Sequence, residues 1–226
     1  MSKPISLTID GKQVTVPEGM NIVDAAKLAG VYIPVFCHHP KLDPVGMCRM
    51  CLVEIGRPMR DRATGQFVME NGAPKIQFMP KLETACTNKV EDGMVVVTQS
   101  EKTAEAQKAT VEFLLTSHPL DCPICDKGGE CPLQNLTMTH GPRESRFRLE
   151  EKMRFAKPAP LGELIWLDRE RCIFCARCVR FQDEIAGDAV LEFDDRARPM
   201  NIISVSDPGF DSIFSGNTTD ICPVGA

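Results

Sequence analysis

The chain has 226 residues, enough for one large domain or for two or three small ones. Hydrophobic residues make up 43% and charged residues 25%, a composition typical of a globular protein and too apolar for a disordered one. The formal net charge of -5 provides no basic surface for nucleic acid, so none is expected as a partner. The apolar runs are far shorter than the ~18 residues that a membrane span needs, and the N-terminal residues lack a secretory signal.

The N-terminal residues predict a β-hairpin. Apolar residues alternate with polar ones over 5–9 and resume over 14–16, and Asp10-Gly11 between them is a typical hairpin turn. Asn21 is then placed to cap a short helix that runs through Leu28 and ends at Gly30.

The rest of the first hundred residues predicts more strands. Apolar segments at 51–55 and 94–98 are strand-like, and the Gly- and Pro-containing stretch 56–80 between them is interpreted as an inserted hairpin. A helix is expected over 100–117, with Thr98 and Glu101 as its capping box.

Loops and small elements dominate after Pro119. Residues 119–160 are rich in Pro and Gly, and 161–226 contain a strand candidate at 164–167 and a helix candidate at 179–186. Because modules of this size bury little apolar surface, bound metal is expected to supply part of their folding free energy.

The chain contains eleven cysteines. An odd number in a chain that looks cytosolic disfavours a disulfide framework, since cytosolic thiols are kept reduced. Their spacing instead sorts them into three sets of metal ligands. A histidine completes the count, because eleven cysteines and one histidine make three sets of four.

The first set has the spacing of a [2Fe–2S] site. Plant-type sites place two close cysteines after a first one and add a distant fourth, although their first gap is shorter than the one found in this sequence. Gly46 suits the close approach of backbone N–H groups to sulfur. Structural zinc or plain buried thiols are the alternatives, and His38 and His39 are interpreted as loop residues. The set is Cys37, Cys48, Cys51 and Cys86.

The second set combines one histidine with three cysteines. A neutral imidazole in place of a thiolate leaves a cluster one charge less negative and should raise its reduction potential. Gly128-Gly129 would let the chain fold tightly before the last ligand. His140 fits no compact loop. The set is His118, Cys122, Cys125 and Cys131.

The third set predicts a [4Fe–4S] site. Three cysteines at Cys-x2-Cys-x2-Cys spacing and a remote Cys-Pro match bacterial ferredoxin loops, whereas zinc sites more often pair two separate Cys-x2-Cys knuckles. Gln182 occupies the position where a two-cluster ferredoxin has another cysteine, so one cluster is expected. The set is Cys172, Cys175, Cys178 and Cys222.

Several arginines lie next to these cysteines in the sequence. They could neutralise cluster charge, face a partner or be ordinary solvated residues, and the sequence leaves these alternatives open. They are Arg49, Arg169, Arg171, Arg177 and Arg180.

Motifs for substrate or nucleotide binding are missing from the sequence. It has no Gly-x-Gly-x-x-Gly, no phosphate-binding Gly-Lys-Ser/Thr loop and no nucleophile elbow. Redox centres without a substrate site predict an electron carrier, with no catalytic residue of its own.

Four stretches together resemble one family. Residues 33–56, 117–135, 171–187 and 217–226 are similar to the N-terminal region of the G subunit of NADH-quinone oxidoreductase (respiratory complex I), the 75 kDa subunit in mitochondria. The resemblance implies an α+β fold: a β-grasp [2Fe–2S] ferredoxin domain, a [4Fe–4S] module with one His and three Cys ligands, and a small ferredoxin-like all-cysteine [4Fe–4S] module. The expected domain bounds are 1–99, 100–160 and 161–226.

The resemblance also implies a function. The chain would relay single electrons from the NADH- and FMN-binding subunit toward quinone through one 2Fe-2S and two 4Fe-4S clusters, carried by the twelve residues of the three sets. It would contact other peripheral-arm subunits of a proton-translocating oxidoreductase, on the cytoplasmic side of the cell membrane and without a span of its own. The family usually continues into a large domain resembling molybdopterin enzymes, so a fragment and a short subunit are both open.

Two other interpretations stay open at this point. One is the small diaphorase subunit of an NAD-linked hydrogenase or formate dehydrogenase, whose length is closer to that of this chain but whose relatives tend to have a cysteine at the position of Gln182. The other is a zinc-stabilised scaffold without redox function, which explains the mixed His and Cys set poorly.

Overall fold

The structure is a computed structural model that describes residues 3–197, 199–207 and 209–226. The described residues divide into two compact units. Unit 1 takes the N-terminal residues to Val35 together with Arg49–Gln107, and unit 2 takes Phe36–Cys48 together with Lys108–Ala226. The fold is α+β, and the predicted three-module division remains a prediction.

The predicted hairpin and helix of unit 1 are confirmed. Strands β1 (Pro4–Ile9) and β2 (Lys12–Pro17) pair antiparallel across the Asp10-Gly11 turn. Helix α1 (Ile22–Leu28) begins after Asn21, whose side-chain oxygen accepts a hydrogen bond from the Asp24 N–H. Asn21 thereby satisfies one of the N–H groups that a helix start leaves unpaired.

Six further strands follow among the described residues of unit 1. They are β3 (Leu52–Pro58), β4 (Met69–Glu70), β5 (Ala73–Pro74), β6 (Ile76–Phe78), β7 (Glu83–Thr84) and β8 (Val95–Val97). The main sheet has the order β2-β1-β8-β3-β6, and β7 also pairs with β3. The pairing of β1 with β8 is parallel, and β3 runs antiparallel to its neighbours. Helix α1 buries Ile22, Ala25 and Ala26 in the same apolar core as the strands, which is the β-grasp arrangement.

The inserted stretch 56–80 forms a hairpin, as predicted, because β4 and β5 pair antiparallel. It also does something that was not predicted: β6 continues from this hairpin and joins the main sheet beside β3. The insertion is therefore anchored to the sheet by backbone hydrogen bonds.

Helix α2 (Glu101–Leu115) confirms the helix expected over 100–117, but its predicted cap is wrong. Ser100 Oγ accepts the hydrogen bond from the Thr103 N–H, at 3.2 Å. The Thr98 hydroxyl instead donates to the Asp10 carboxylate, a contact 88 residues apart that local sequence does not reveal.

Unit 2 is built from short elements. An apolar cluster forms around Leu167, Leu191, Ile202 and Phe210. Strands β9 and β10 pair antiparallel, as do β11 and β12, and α4 continues directly into a π-helical turn at Phe181–Ala186. The elements are α3 (Pro132–His140), β9 (Ala159–Pro160), β10 (Trp166–Leu167), α4 (Arg177–Arg180), β11 (Leu191–Asp194), β12 (Asn201–Ser204) and α5 (Asn217–Ile221), with 3-10 turns at Cys122–Ile124 and Leu149–Glu151.

In the described residues, no helix combines the length and apolar character needed to cross a membrane.

Candidate metal centres

The third predicted set comes together in unit 2. Three of its cysteines lie in the loop that leads into α4, and the fourth follows the end of α5. All four thiols line one cavity of about 620 Å³, whose other walls include apolar side chains of the unit 2 core. The structure thus brings to one place the four residues Cys172, Cys175, Cys178 and Cys222.

The backbone of this loop is bent by two residues in the left-handed region. Phe174 has φ 52° and Ala176 has φ 61°, values uncommon for residues with a side chain. They flank Cys175, and the Phe174 N–H donates to Cys172 Sγ at 3.4 Å. Such strain persists where the surrounding structure fixes it, and it is concentrated at functional sites.

Burial makes the four thiols poor acids. It raises the pKa of the Cys175 thiol to about 11 and that of Cys178 to about 12. Burial also raises the pKa of Cys172 and Cys222, and the charges of neighbouring thiolates raise the pKa of Cys172 further. A positively charged core, such as that of an iron–sulfur cluster, would stabilise the thiolate form that binds it.

Buried hydrogen-bond donors beside this loop fit the same group. The Nε atoms of Arg177 and Arg180 and the side-chain amide of Gln182 are buried, and among the described residues they have no hydrogen-bond partner. Gln182 is 0% exposed. The sulfur atoms of a cluster are acceptors for such donors, and these hydrogen bonds help to set its potential. The residues present therefore fit a [4Fe–4S] cluster.

The cysteines of the second set lie in a tightly folded loop. The Cys125 N–H donates to the Cys122 carbonyl at 3.4 Å, and the Gly128 N–H donates to the Cys125 carbonyl at 2.8 Å. A Cβ at Gly128 would lie 2.7 Å from the Cys122 carbonyl oxygen, so only glycine fits there, as the sequence predicted. Cys131 is buried and immediately precedes α3.

His118 follows the end of α2 and lies on a cavity of about 890 Å³ whose largely apolar lining includes four phenylalanines. Its Nδ1 is buried and has no hydrogen-bond partner among the described residues. Burial lowers its pKa to about 4, so the ring is neutral at pH 7. A neutral imidazole with an unused nitrogen is the form that binds a metal. The cavity is not lined by Cys122, Cys125 or Cys131, so ligation by His118 remains a prediction.

The four residues of the first set are all buried, two of them in unit 1 and two in unit 2. In unit 1, Cys51 and Cys86 belong to the apolar core, and the Ala85 N–H donates to the Cys51 carbonyl at 2.9 Å. In unit 2, the Cys37 N–H donates to Cys48 Sγ at 3.4 Å, and Gly46 adopts a left-handed φ of 66°. Amide-to-sulfur contacts of this kind are typical of iron–sulfur loops.

No disulfide joins the eleven cysteines, all of which lie in the described residues. In that same part of the chain, no three His, Cys, Asp or Glu side chains are arranged around a single ion. A cluster binds its thiolates at different iron atoms, so its ligands do not converge on one point.

A charged network that the sequence did not reveal lies between the second and third cysteine loops. Lys157 Nζ is 2.8 Å from Asp121 Oδ2 and 2.7 Å from Glu170 Oε2. Arg171 also contacts Asp121, at 3.1 Å, and Asp168, at 3.2 Å. Asp121 precedes Cys122 and Arg171 precedes Cys172, so the network ties one loop to the other. Lys157 is far from its partners in the sequence, and so no local pattern predicted this network.

Models of three protein families match the chain in the order of its predicted sites. A "2Fe-2S iron-sulfur cluster binding domain" matches residues 2–101, and an "NADH-ubiquinone oxidoreductase-G iron-sulfur binding region" matches 107–146. An "NADH-quinone oxidoreductase subunit 3, ferredoxin-like domain" matches 162–226. The chain belongs to the G-subunit family of NADH-quinone oxidoreductase and matches its iron–sulfur region.

Curated relatives agree with this family over nearly the whole chain. The G subunit of NADH-quinone oxidoreductase from Mycobacterium tuberculosis is 47% identical over 98% of this chain. Subunit 3 of the Thermus thermophilus enzyme is 45% identical, and the mitochondrial 78 kDa subunit of Candida albicans NADH-ubiquinone oxidoreductase is 39% identical. The chain spans 25% of the M. tuberculosis protein and 30% of the T. thermophilus protein.

A solved structure shares the fold. A chain in the crystal structure of an NAD+-reducing [NiFe]-hydrogenase in the H2-reduced state aligns with a TM-score of 0.76 and 29% sequence identity. The alignment covers 98% of this chain and 86% of that chain.

Proposed function

We propose that this chain is an electron-transfer subunit of NADH:quinone oxidoreductase and holds one 2Fe-2S and two 4Fe-4S clusters. The [2Fe–2S] cluster is held by Cys37, Cys48, Cys51 and Cys86. One [4Fe–4S] cluster is held by His118, Cys122, Cys125 and Cys131, and the other by Cys172, Cys175, Cys178 and Cys222.

The observation that carries the proposal is the convergence of Cys172, Cys175, Cys178 and Cys222 on one cavity. This donor set is suited to an iron–sulfur cluster and offers no group for substrate chemistry. The matches to iron–sulfur families over 2–101, 107–146 and 162–226 support all three sites.

When bound, the clusters supply reversible one-electron chemistry that amino-acid side chains lack. The loop around Cys175, whose backbone is left-handed at Phe174 and Ala176, would present the thiolates. Apolar residues of the unit 2 core form part of the wall of the all-cysteine site. Neighbouring guanidinium groups offset part of the negative charge.

Membership of the G-subunit family supports a proposed place for the chain in the complex. Electrons enter from the NADH- and FMN-binding subunit and leave toward quinone through other peripheral-arm subunits. The chain itself binds no substrate, and it is peripheral on the cytoplasmic side of the cell membrane as part of a membrane-bound complex.

A second candidate is the small diaphorase subunit of an NAD-linked hydrogenase or formate dehydrogenase. The structural alignment with the hydrogenase chain, at a TM-score of 0.76, supports it. Identity favours the first candidate, at 47% against 29%.

Capture of the native complex separates these candidates. The chain is tagged in its own host, solubilised in mild detergent and purified anaerobically, and its partners are identified by mass spectrometry. We expect an NADH-oxidising flavoprotein together with membrane-embedded quinone-reducing subunits, and NADH should reduce the clusters. A hydrogen- or formate-oxidising subunit in their place would establish the second candidate, and clusters that stay oxidised with NADH would contradict both.

A further inference from the structure

Within unit 2, the loop that carries Cys37 is fastened to the helical segment of the all-cysteine site. Arg177 Nη2 donates to the His38 carbonyl at 2.6 Å, and Arg180 Nη2 donates to the Cys37 carbonyl at 2.5 Å. Arg180 Nη1 also donates to the Asp43 carbonyl, at 2.5 Å. The acceptors are all backbone carbonyls, so the contacts fix the path of the loop regardless of its side chains.

Glu184 also contacts the loop that carries Cys37. Its Oε2 accepts a hydrogen bond from the Asp43 N–H at 2.7 Å. Asp43 is thus held at both its N–H and its carbonyl by one turn of helix. The loop that leads to Cys48 therefore has its position set by residues of the third site.

Arg177 occupies a central place in this arrangement. It lies between Cys175 and Cys178 in sequence, and its second guanidinium nitrogen donates to the Ile221 carbonyl at 3.4 Å, next to Cys222. One guanidinium group therefore joins the loop that carries two ligands of the third site, the remote Cys222, and the loop that carries Cys37.

The positive charge of Arg177 is a second reason to connect it with these cysteines. Burial lowers the pKa of Arg177, and the thiolate charges of Cys175, Cys37 and Cys222 oppose that shift. The Arg177 Nε is buried and has no hydrogen-bond acceptor among the described residues. A charge in a buried site is poorly screened by solvent and acts strongly on nearby charges.

We infer that Arg177 is a shared positioning residue, which holds the Cys37 loop against the third site and raises the reduction potentials of both the [2Fe–2S] centre and the all-cysteine [4Fe–4S] centre. Arg180 and Glu184 complete the clamp on the loop. The inference rests on the proposed function. A reduced cluster is one charge more negative than an oxidised one, so a nearby cation stabilises the reduced form and its loss lowers the potential.

The test is a redox titration of the anaerobically purified holo-protein, followed by EPR, on three variants. Arg177→Gln removes the charge, Arg177→Lys keeps it without the planar fork, and Arg196→Gln removes an exposed arginine of the same unit. Arg177→Gln should lower the midpoint potentials of the [2Fe–2S] centre and of one [4Fe–4S] centre. Arg177→Lys should give a smaller shift of both, and Arg196→Gln should shift neither.

Wild-type potentials in Arg177→Gln, a shift confined to one centre, or the same shift in Arg196→Gln would overturn the inference. If Arg177→Gln loads too little iron for titration, Arg180→Gln replaces it. That variant loses the donors to the Cys37 and Asp43 carbonyls, so it should lower the [2Fe–2S] potential, and an unchanged potential would overturn the inference. Wild-type protein without acid-labile sulfide would contradict the proposed function itself, whereas loaded variants with unshifted potentials contradict the inference alone.

Discussion

Gly225 lies directly against Cys125: a Cβ built on Gly225 would be 2.2 Å from Cys125 Sγ. The same C-terminal run places the Pro223 carbonyl oxygen 4.0 Å from Cys131 Sγ, while Cys222 lines the cavity of the third site. Pro223 and Gly225 thus lie against cysteines of the second site, and Cys222 between α5 and these residues belongs to the third. The run Cys222–Ala226 therefore sets the geometry of the second site as well as that of the third.

Gly225→Ala should disturb the second site. The added methyl group meets a sulfur atom far inside contact distance, so either Cys125 or the C-terminal run must move. We expect about a tenfold lower yield of the corresponding [4Fe–4S] EPR signal or a shifted one, at about a 1.4 kcal/mol cost. Gly216→Ala is the matched control, because nothing lies within 4 Å of its Cβ position and its φ of -59° suits alanine. Identical spectra for both variants would show that Gly225 tolerates a side chain.

His118→Cys should keep a cluster and lower its potential. A thiolate in place of a neutral imidazole adds one negative charge, which disfavours reduction. The measurement is an EPR-monitored redox titration of the variant beside the wild-type protein. His140→Cys serves as the control, since His140 fits no ligand set. An unchanged potential in His118→Cys would mean that His118 is not a ligand.

Cys175→Ala should abolish one [4Fe–4S] signal and loosen the segment 161–226. Metal binding is coupled to folding in small modules, so loss of a ligand weakens both. EPR and hydrogen exchange measure the two effects on the same preparation. A variant that retained all cluster signals and normal exchange protection would refute the assignment of the third site.

Lys157→Gln should destabilise unit 2 by about 1–3 kcal/mol. It removes the cation shared by Asp121, Asp168 and Glu170, and the Glu170 side chain is only 2% exposed. Urea unfolding followed by the fluorescence of the single tryptophan, Trp166, reports on this unit.

Arg196→Gln is the control for that experiment. Arg196 is exposed and lies in the same unit as Trp166, so its loss should change the free energy of unfolding by about 0.5 kcal/mol or less. Equal unfolding midpoints for Lys157→Gln and wild type would show that the buried network contributes no net stability.

Local patterns predicted the elements whose cause is local. The Asp10-Gly11 turn and the Asn21 cap depend on residues a few positions apart, and both were predicted correctly. The spacing of Cys172, Cys175 and Cys178 likewise predicted the loop that the structure places around one cavity.

Contacts between distant residues could not be predicted. The addition of β6 to the sheet, the use of Ser100 rather than Thr98 as a cap, and the packing of Gly225 on Cys125 all depend on tertiary structure. For Arg177 the sequence left neutralisation of cluster charge, a partner surface and ordinary solvated charge all open. The hydrogen bond to the His38 carbonyl favours a role inside the protein.

The proposal that this chain carries three iron–sulfur clusters is tested most directly by the content of iron, zinc and acid-labile sulfide in anaerobically purified protein. The three sites together require about ten irons and about ten sulfides per chain, as two, four and four. We predict values near these with little zinc. Zinc in place of iron, with little sulfide, would contradict the proposal and identify a structural metalloprotein.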